Sequence, residues 1–162
     1  MGARSEGSSL SPQVRTATAD DAGVIGQLLH DFNTEYNDIT PGPARIADRI
    51  RRLLAGGDTV VVLGGAGPDG LGVLRFRPSI WSDGLECYLA ELYVRPSLRG
   101  RGLGRAMMEK AMEVARARGA DYMDLGTSED DVAARKLYES LGFINRENGP
   151  NGPITYFYER EL

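Results

Sequence analysis

Three glycines at alternate positions, Gly100, Gly102 and Gly104, stand among Arg99, Arg101 and Arg105 in the stretch LRGRGLGRAMM. A turn of this kind ahead of a helix leaves backbone N–H groups unpaired at the positive end of the helix dipole. Missing Cβ atoms let an anion approach closely. The chemistry on offer is phosphate or pyrophosphate binding; the plain alternative is a strand-to-helix connector that needs positive φ. Two familiar phosphate patterns fail here. A dinucleotide fingerprint starting at Gly100 needs glycine where Arg105 stands, and one starting at Gly102 needs it at Met107. A Walker loop needs Lys and then Ser or Thr after its last glycine, where this chain has Arg105 and Ala106. Dinucleotide dehydrogenases and nucleoside triphosphatases are therefore disfavoured.

A second group of residues invites acid–base chemistry. Glu91 interrupts the apolar run YLAELYV, and a carboxylate inside such a strand is costly to bury without a partner or a purpose. Glu86 lies at the start of the same run. His30 is the only histidine and sits in an amphipathic stretch beside Leu29. Cys87 is the only cysteine, which excludes an internal disulfide and a cysteine-based zinc site. No histidine is placed by sequence to activate it, so a packing role is the reading for Cys87.

The elements that must position these residues follow from periodicity. QVRTAT predicts a short strand, and TADDAGVIGQLLHDFNTEY predicts a helix. Thr18 or Asp20 would cap that helix, and Val24, Ile25, Leu28, Leu29 and Phe32 recur at helical spacing. Pro41 and Pro43 break it; Ile46, Ile50, Leu53 and Leu54 mark a second helix stopped by GGD. TVVVLGG reads as a buried strand, GPDG as a turn and LGVLRFRP as its hairpin partner. LECYLAELYV is the most apolar strand and ends at Pro96. From Leu103, the positions Met107, Ala111, Val114 and Ala115 trace a third helix that stops at Gly119. DYMDLGT gives a further strand, DVAARKLYESLG a helix ending at Gly142, and ITYFYEREL a closing strand. The Ser- and Gly-rich stretch from Met1 to Pro12 reads as a disordered lead-in, followed by one α/β domain over 13–162 with a mixed sheet. With 162 residues, a net charge of −4 and no apolar run near the roughly 20 residues of a membrane span, the composition suggests a cytoplasmic, metal-free protein. It gives no electrostatic reason to expect nucleic acid or membrane as partners.

Arg99-x-x-Gly102-x-Gly104, preceded by ELYVRPSL and followed by an amphipathic helix, resembles the acyl-CoA-binding signature of the GNAT superfamily of N-acetyltransferases, Gln/Arg-x-x-Gly-x-Gly/Ala. DVAARKLYESLGF is similar to the family's second signature through Asp131, Ala134, Tyr138 and Gly142–Phe143. The order of elements from Val14 to Tyr158 matches as well. The resemblance implies a GNAT fold, α/β (α+β), with a mixed sheet of about six to seven strands flanked by about four helices. It also implies direct acetyl transfer from acetyl-CoA to an amine in a ternary complex, without a metal. By the same resemblance, N–H groups around Gly100, Gly102, Leu103, Gly104 and Arg105 hold the pyrophosphate, with charge from Arg99 and Arg101. Leu92, Tyr93 and Val94 offer a strand edge to pantetheine, with the Val94 N–H as a partner. The family's tyrosine at this place implies Tyr138 as the general acid facing the sulfur, the competing reading being an aromatic packed between helix and sheet. From its place in the strand, Glu91 would take the amine proton through a water, the competing reading being a binding or structural role, with Glu86 in reserve. Asp131 departs from the family's usual Asn and lacks its amide donor, so that Ser128 or Asp130 would have to compensate for a lost contact to the CoA arm.

For the acceptor, Asp31, Glu35 and Asp38 in HDFNTEYNDITPGP, with Trp81, Asp83 and Glu86 in SIWSDGLE, would suit a small cationic amine. A solvated acidic face is the competing reading of these carboxylates, and Trp81 could wall a pocket or join a dimer contact. A protein N-acetyltransferase acting on lysine or an N-terminus is the second function considered, and a non-catalytic acyl-CoA-binding domain the third. A homodimer is expected by resemblance alone.

Overall fold

The computed structural model describes residues 11–162, so the Met1-to-Pro12 lead-in lies outside it apart from its last two residues. The chain runs β1 (Val14–Thr16), α1 (Ala22–Glu35), α2 (Pro43–Gly56), β2 (Thr59–Gly64), β3 (Gly70–Pro78), β4 (Leu85–Val94), α3 (Leu103–Ala117), β5 (Ala120–Leu125) and α4 (Val132–Ser140). The five strands form one sheet in sequence order; β1 to β4 are antiparallel neighbours, and β5 lies parallel to β4. A parallel return requires a crossover, which α3 supplies.

Helices cover both faces of the sheet. Ile25, Leu28, Ala47 and Ile50 of α1 and α2 pack on Val61, Leu63, Leu71, Val73 and Tyr93. Met107, Met108, Ala111 and Ala115 of α3, with Tyr138 of α4, pack on Val60, Val62, Leu74, Cys87 and Leu89 on the other face. Consecutive strand residues point to opposite faces, so a strand covered on both sides must be apolar throughout. That is why all six residues of TVVVLG are buried. Where α1 meets α2, Gly26 lets the backbones approach, since a Cβ there would lie 2.4 Å from the Pro43 carbonyl oxygen.

Local chemistry sets the element ends. Of the two expected caps, Thr18 is the one that stands at the N-cap of the turn leading into α1, in a capping box with Asp21 rather than Asp20. The Asp21 carboxylate accepts from the Thr18 N–H at 2.8 Å and pairs with Arg15 of β1 at 2.7 Å. The Arg15 guanidinium and then the Thr18 N–H outweigh desolvation and pull the Asp21 carboxyl down to about 2. Gly57, in the left-handed region, ends α2.

Two features depart from the expected sheet. Between β3 and β4 the register jumps from Val73↔Glu91 to Leu74↔Leu89, which leaves Ala90 as the extra residue of a β-bulge. The closing strand over ITYFYEREL does not form: Ile154 makes one isolated bridge to Arg146, and the residues beyond it are irregular. Among the described residues the sheet therefore has five strands, not six or seven. Tyr156, Phe157 and Tyr158 have the residue types of a strand, but they are exposed, and β-propensity without burial or a paired neighbour does not hold a strand.

Candidate active site

The site forms where β4 loses its neighbour. The parallel β4–β5 pairing runs from Leu85↔Ala120 to Leu89↔Leu125 and stops there. On the β5 side, Ala90–Val94 of β4 are left without a strand partner among the described residues. The Arg95 N–H donates to Asp69 on the β3 side. By strand alternation, the Val94 N–H and carbonyl face the open side. An extended ligand with amide groups would find strand-like partners there.

The open edge leads into the glycine loop. Gly100 (φ 75°) and Gly102 (φ 83°) lie in the left-handed region, and Gly102 is the residue from which α3 starts. No side chain caps α3, and its first turn carries no acidic residue. Its first N–H groups are thus free to meet an anion where the helix dipole is positive. Arg101 is exposed in this loop. Arg105 turns away and bonds Ser140 of α4 at 2.5 Å, joining the two helices. The Arg99 side chain leaves the loop altogether: it reaches Glu35 on α1 at 2.7 and 2.8 Å, and its Nε donates to the Val94 carbonyl at 2.9 Å.

Tyr138 and Glu91 belong to opposite faces of the sheet. Tyr138 is only 8% exposed in the α3/α4 core, edge-on to Phe143. Burial first, and the Asp131 charge second, push its phenol up to about 12. It therefore remains protonated as a donor at neutral pH. Glu91 shares its face with Tyr93, toward α1 and α2, and has no ion-pair or hydrogen-bond partner among the described residues. Burial raises its pKa above the ordinary glutamate range, which favours a carboxylate ready to take up a proton.

The remaining candidates separate cleanly. Asp131 caps α4, accepting from the Ala134 N–H at 3.0 Å, which gives a structural reason for aspartate at that position. Glu86 pairs across the hairpin with Arg77 at 2.6 Å, its register partner. Trp81 is 89% exposed in the β3–β4 loop. His30 bonds Thr40 at 2.6 Å and holds the α1–α2 connection. Cys87 is fully buried, and burial pushes its thiol up to about 11, so it is a poor nucleophile. Asp31 and Glu35 line a shallow, solvent-open cavity of about 470 Å3 together with Thr34, Tyr93, Arg95 and Ser97. Sequence reasoning missed Arg95, whose Nε is buried without a partner among the described residues; in the sequence it reads only as the residue that ends a strand before Pro96.

A sheet split beside a glycine loop at a helix N-terminus is the arrangement the two sequence signatures implied. The family model described as the acetyltransferase (GNAT) family matches residues 27–143. The chain belongs to this family. A provisionally assigned acetyltransferase from Arthrobacter sp. FB24 shares 44% identity with this GNAT chain. Its crystal structure matches 95% of this chain and 97% of its own, with a TM-score of 0.85. The thialysine N-ε-acetyltransferase of Bos taurus is 28% identical over 80% of this chain and 82% of its own. A mycothiol acetyltransferase of Beutenbergia cavernae is 41% identical over 46% of the GNAT chain, but that match spans only 26% of the relative's length. The GNAT fold of this chain, an α/β mixed sheet with four helices, thus carries an acetyltransferase.

Proposed function

We propose that this acetyltransferase moves an acetyl group from acetyl-CoA directly to the primary amine of a small cationic molecule, in a ternary complex. The observation that carries the donor half is the unpaired Ala90–Val94 edge running into the uncapped N-terminus of α3. When bound, acetyl-CoA supplies an activated thioester. Its pyrophosphate suits the N–H groups of Gly100, Gly102, Leu103, Gly104 and Arg105, with the Arg101 charge nearby. Leu92, Tyr93 and Val94 present the strand edge for the pantetheine arm, and Ala134 lies on the α4 side of the same opening.

Glu91 serves as the base, taking the amine proton through a water as the nitrogen bonds to the acetyl carbon and the carbon–sulfur bond breaks. Tyr138 faces the departing sulfur. A phenol near 12 is a weaker acid than a thiol near ~8.5, so complete proton transfer is uphill. Its contribution is an O–H hydrogen bond to the developing thiolate. The buried, weakly acidic Cys87 fits direct transfer better than an acyl-enzyme.

For the acceptor half, Asp31 is the cavity carboxylate that Arg99 does not engage, and among the described residues its only side-chain partner is Gln27 at 2.7 Å. The bovine relative is named a thialysine N-ε-acetyltransferase, which supports a small amine as the acceptor. Trp81 and Glu86 do not border the cavity. A homodimer belongs to the same proposal: the outer edge of β5 is open, and the exposed Tyr156–Tyr158 segment is apolar enough to favour cover by a second copy. The test is release of free thiol from acetyl-CoA against polyamines, aminoglycosides, amino acids and peptides. Turnover with a small amine is expected. Turnover with peptides alone would move the acceptor to protein, and none with any amine would leave a binding domain.

A further inference from the structure

Arg99 opens the donor-loop signature, yet its side chain is engaged elsewhere. Both terminal nitrogens meet both oxygens of Glu35, at 2.7 and 2.8 Å, across 64 residues of sequence. The Nε closes a third bond on the Val94 carbonyl, and the guanidinium lies 5.7 Å from the centre of the Tyr93 ring. Tyr93 stacks on Phe32 of α1 with ring centres 5.0 Å apart, and Phe32 meets Tyr36 edge-on. The last turn of α1, the end of β4 and the start of the glycine loop are thus joined at one point. The pair lies at the surface, with side chains 42% and 28% accessible, and its bidentate guanidinium–carboxylate fork fixes orientation as well as distance.

We propose that Arg99 and Glu35 are positioning residues: the pair latches α1 to the donor loop and holds the open edge at Val94, with no direct contact to the donor phosphates by Arg99 or to the acceptor amine by Glu35. The inference rests on the donor reading given above. Its consequence has an unusual sign. Acetyl-CoA is a polyanion, so removing a nearby carboxylate should by simple electrostatics tighten its binding. If Glu35 instead holds the loop in place, its loss loosens binding.

The experiment measures acetyl-CoA affinity by titration calorimetry for the full chain and for Glu35→Gln, Arg99→Gln, Arg99→Lys and the double Glu35→Gln/Arg99→Gln variant. Thermal melting checks that each is folded at the temperature of measurement. Each single variant should weaken binding by about three- to tenfold, and the double variant should be no worse than either single one, as groups acting as a unit do. Arg99→Lys should fall with Arg99→Gln, because lysine keeps the charge but not the fork. With a working acceptor, the rise in donor KM should exceed any fall in kcat. Unchanged or tighter binding in Glu35→Gln, or a loss in Arg99→Gln that Arg99→Lys restores, would overturn the latch and give Arg99 to the phosphates. A rise confined to the acceptor KM in Glu35→Gln would overturn it in favour of an acceptor contact. Failure of the unaltered chain to bind acetyl-CoA would sink the donor reading itself, and the latch with it.

Discussion

At the scale of single residues, burial acts on Tyr138 and Glu91 in the same sense, and the proposed mechanism gives them opposite tasks. Burial disfavours the charged form of each, so the phenol keeps its proton and the carboxyl is readied to gain one. Tyr138→Phe should lower turnover by about a hundredfold, as expected for a lost donor to developing charge, while acetyl-CoA affinity stays nearly constant. Steady-state kinetics beside calorimetry would check this; equal turnover would remove Tyr138 from the sulfur. For Glu91 the sign runs as follows. The active form is the carboxylate, so activity should rise with pH across a window displaced above the ordinary glutamate range, and Glu91→Gln should abolish that rise. Stability moves the other way. A group with a raised folded pKa favours the fold most when protonated, and that advantage is lost as pH rises from the unfolded pKa through the folded one. At neutral pH, Glu91→Gln should therefore melt about 2 °C higher than the parent while acetylating more slowly. A lower melting temperature would show that Glu91 has a stabilising partner.

At the scale of elements, the site depends on where strands part and helices begin. The bulge at Ala90 lies where β4 leaves β5, and it sets Glu91 on the α1 side while Leu92 and Val94 keep to the α3 side. Asp131 tests the division between fold and ligand. If its carboxylate serves only as the cap of α4, Asp131→Ala should cost about 1 kcal/mol and Asp131→Asn only a few tenths, since asparagine also caps well. Chemical denaturation would measure both, and a marked gain in acetyl-CoA affinity for the asparagine variant would reveal a donor contact. Gly26 tests the packing of α1 on α2. A glycine inside a helix is weakly destabilising, but here its Cβ would collide with the Pro43 carbonyl oxygen. Gly26→Ala should lose about 1–3 kcal/mol by forcing the helices apart. A variant that melts at or above the parent temperature would show that the backbones can move without penalty.

At the scale of the whole molecule, the sheet ends on one side at β5, with Tyr156–Tyr158 exposed nearby and Tyr158 87% accessible. Open strand edges and exposed aromatic clusters favour association. Light scattering should therefore give twice the 17.6 kDa chain mass, and a chain ending at Pro153 should run as a monomer. A monomeric full chain, or a truncated chain that still dimerises, would place the contact elsewhere or remove it.

By itself the sequence determined the two-sided burial of β2, the helix spacing of α1 to α4, the glycine loop and the family. Each is local: alternation, periodicity and short-range motifs are written in neighbouring residues. It also pointed to Glu91, because a carboxylate in an apolar strand is conspicuous without any partner in view. Only the tertiary structure decided which charges remain available. Glu35 and Arg99 stand 64 residues apart, and Arg77 and Glu86 belong to different strands, so their pairing depends on how the elements pack. The closing strand failed for the same reason. ITYFYEREL has a strand's composition, but a strand exists only where another edge and a buried face receive it, and those lie outside its own residues.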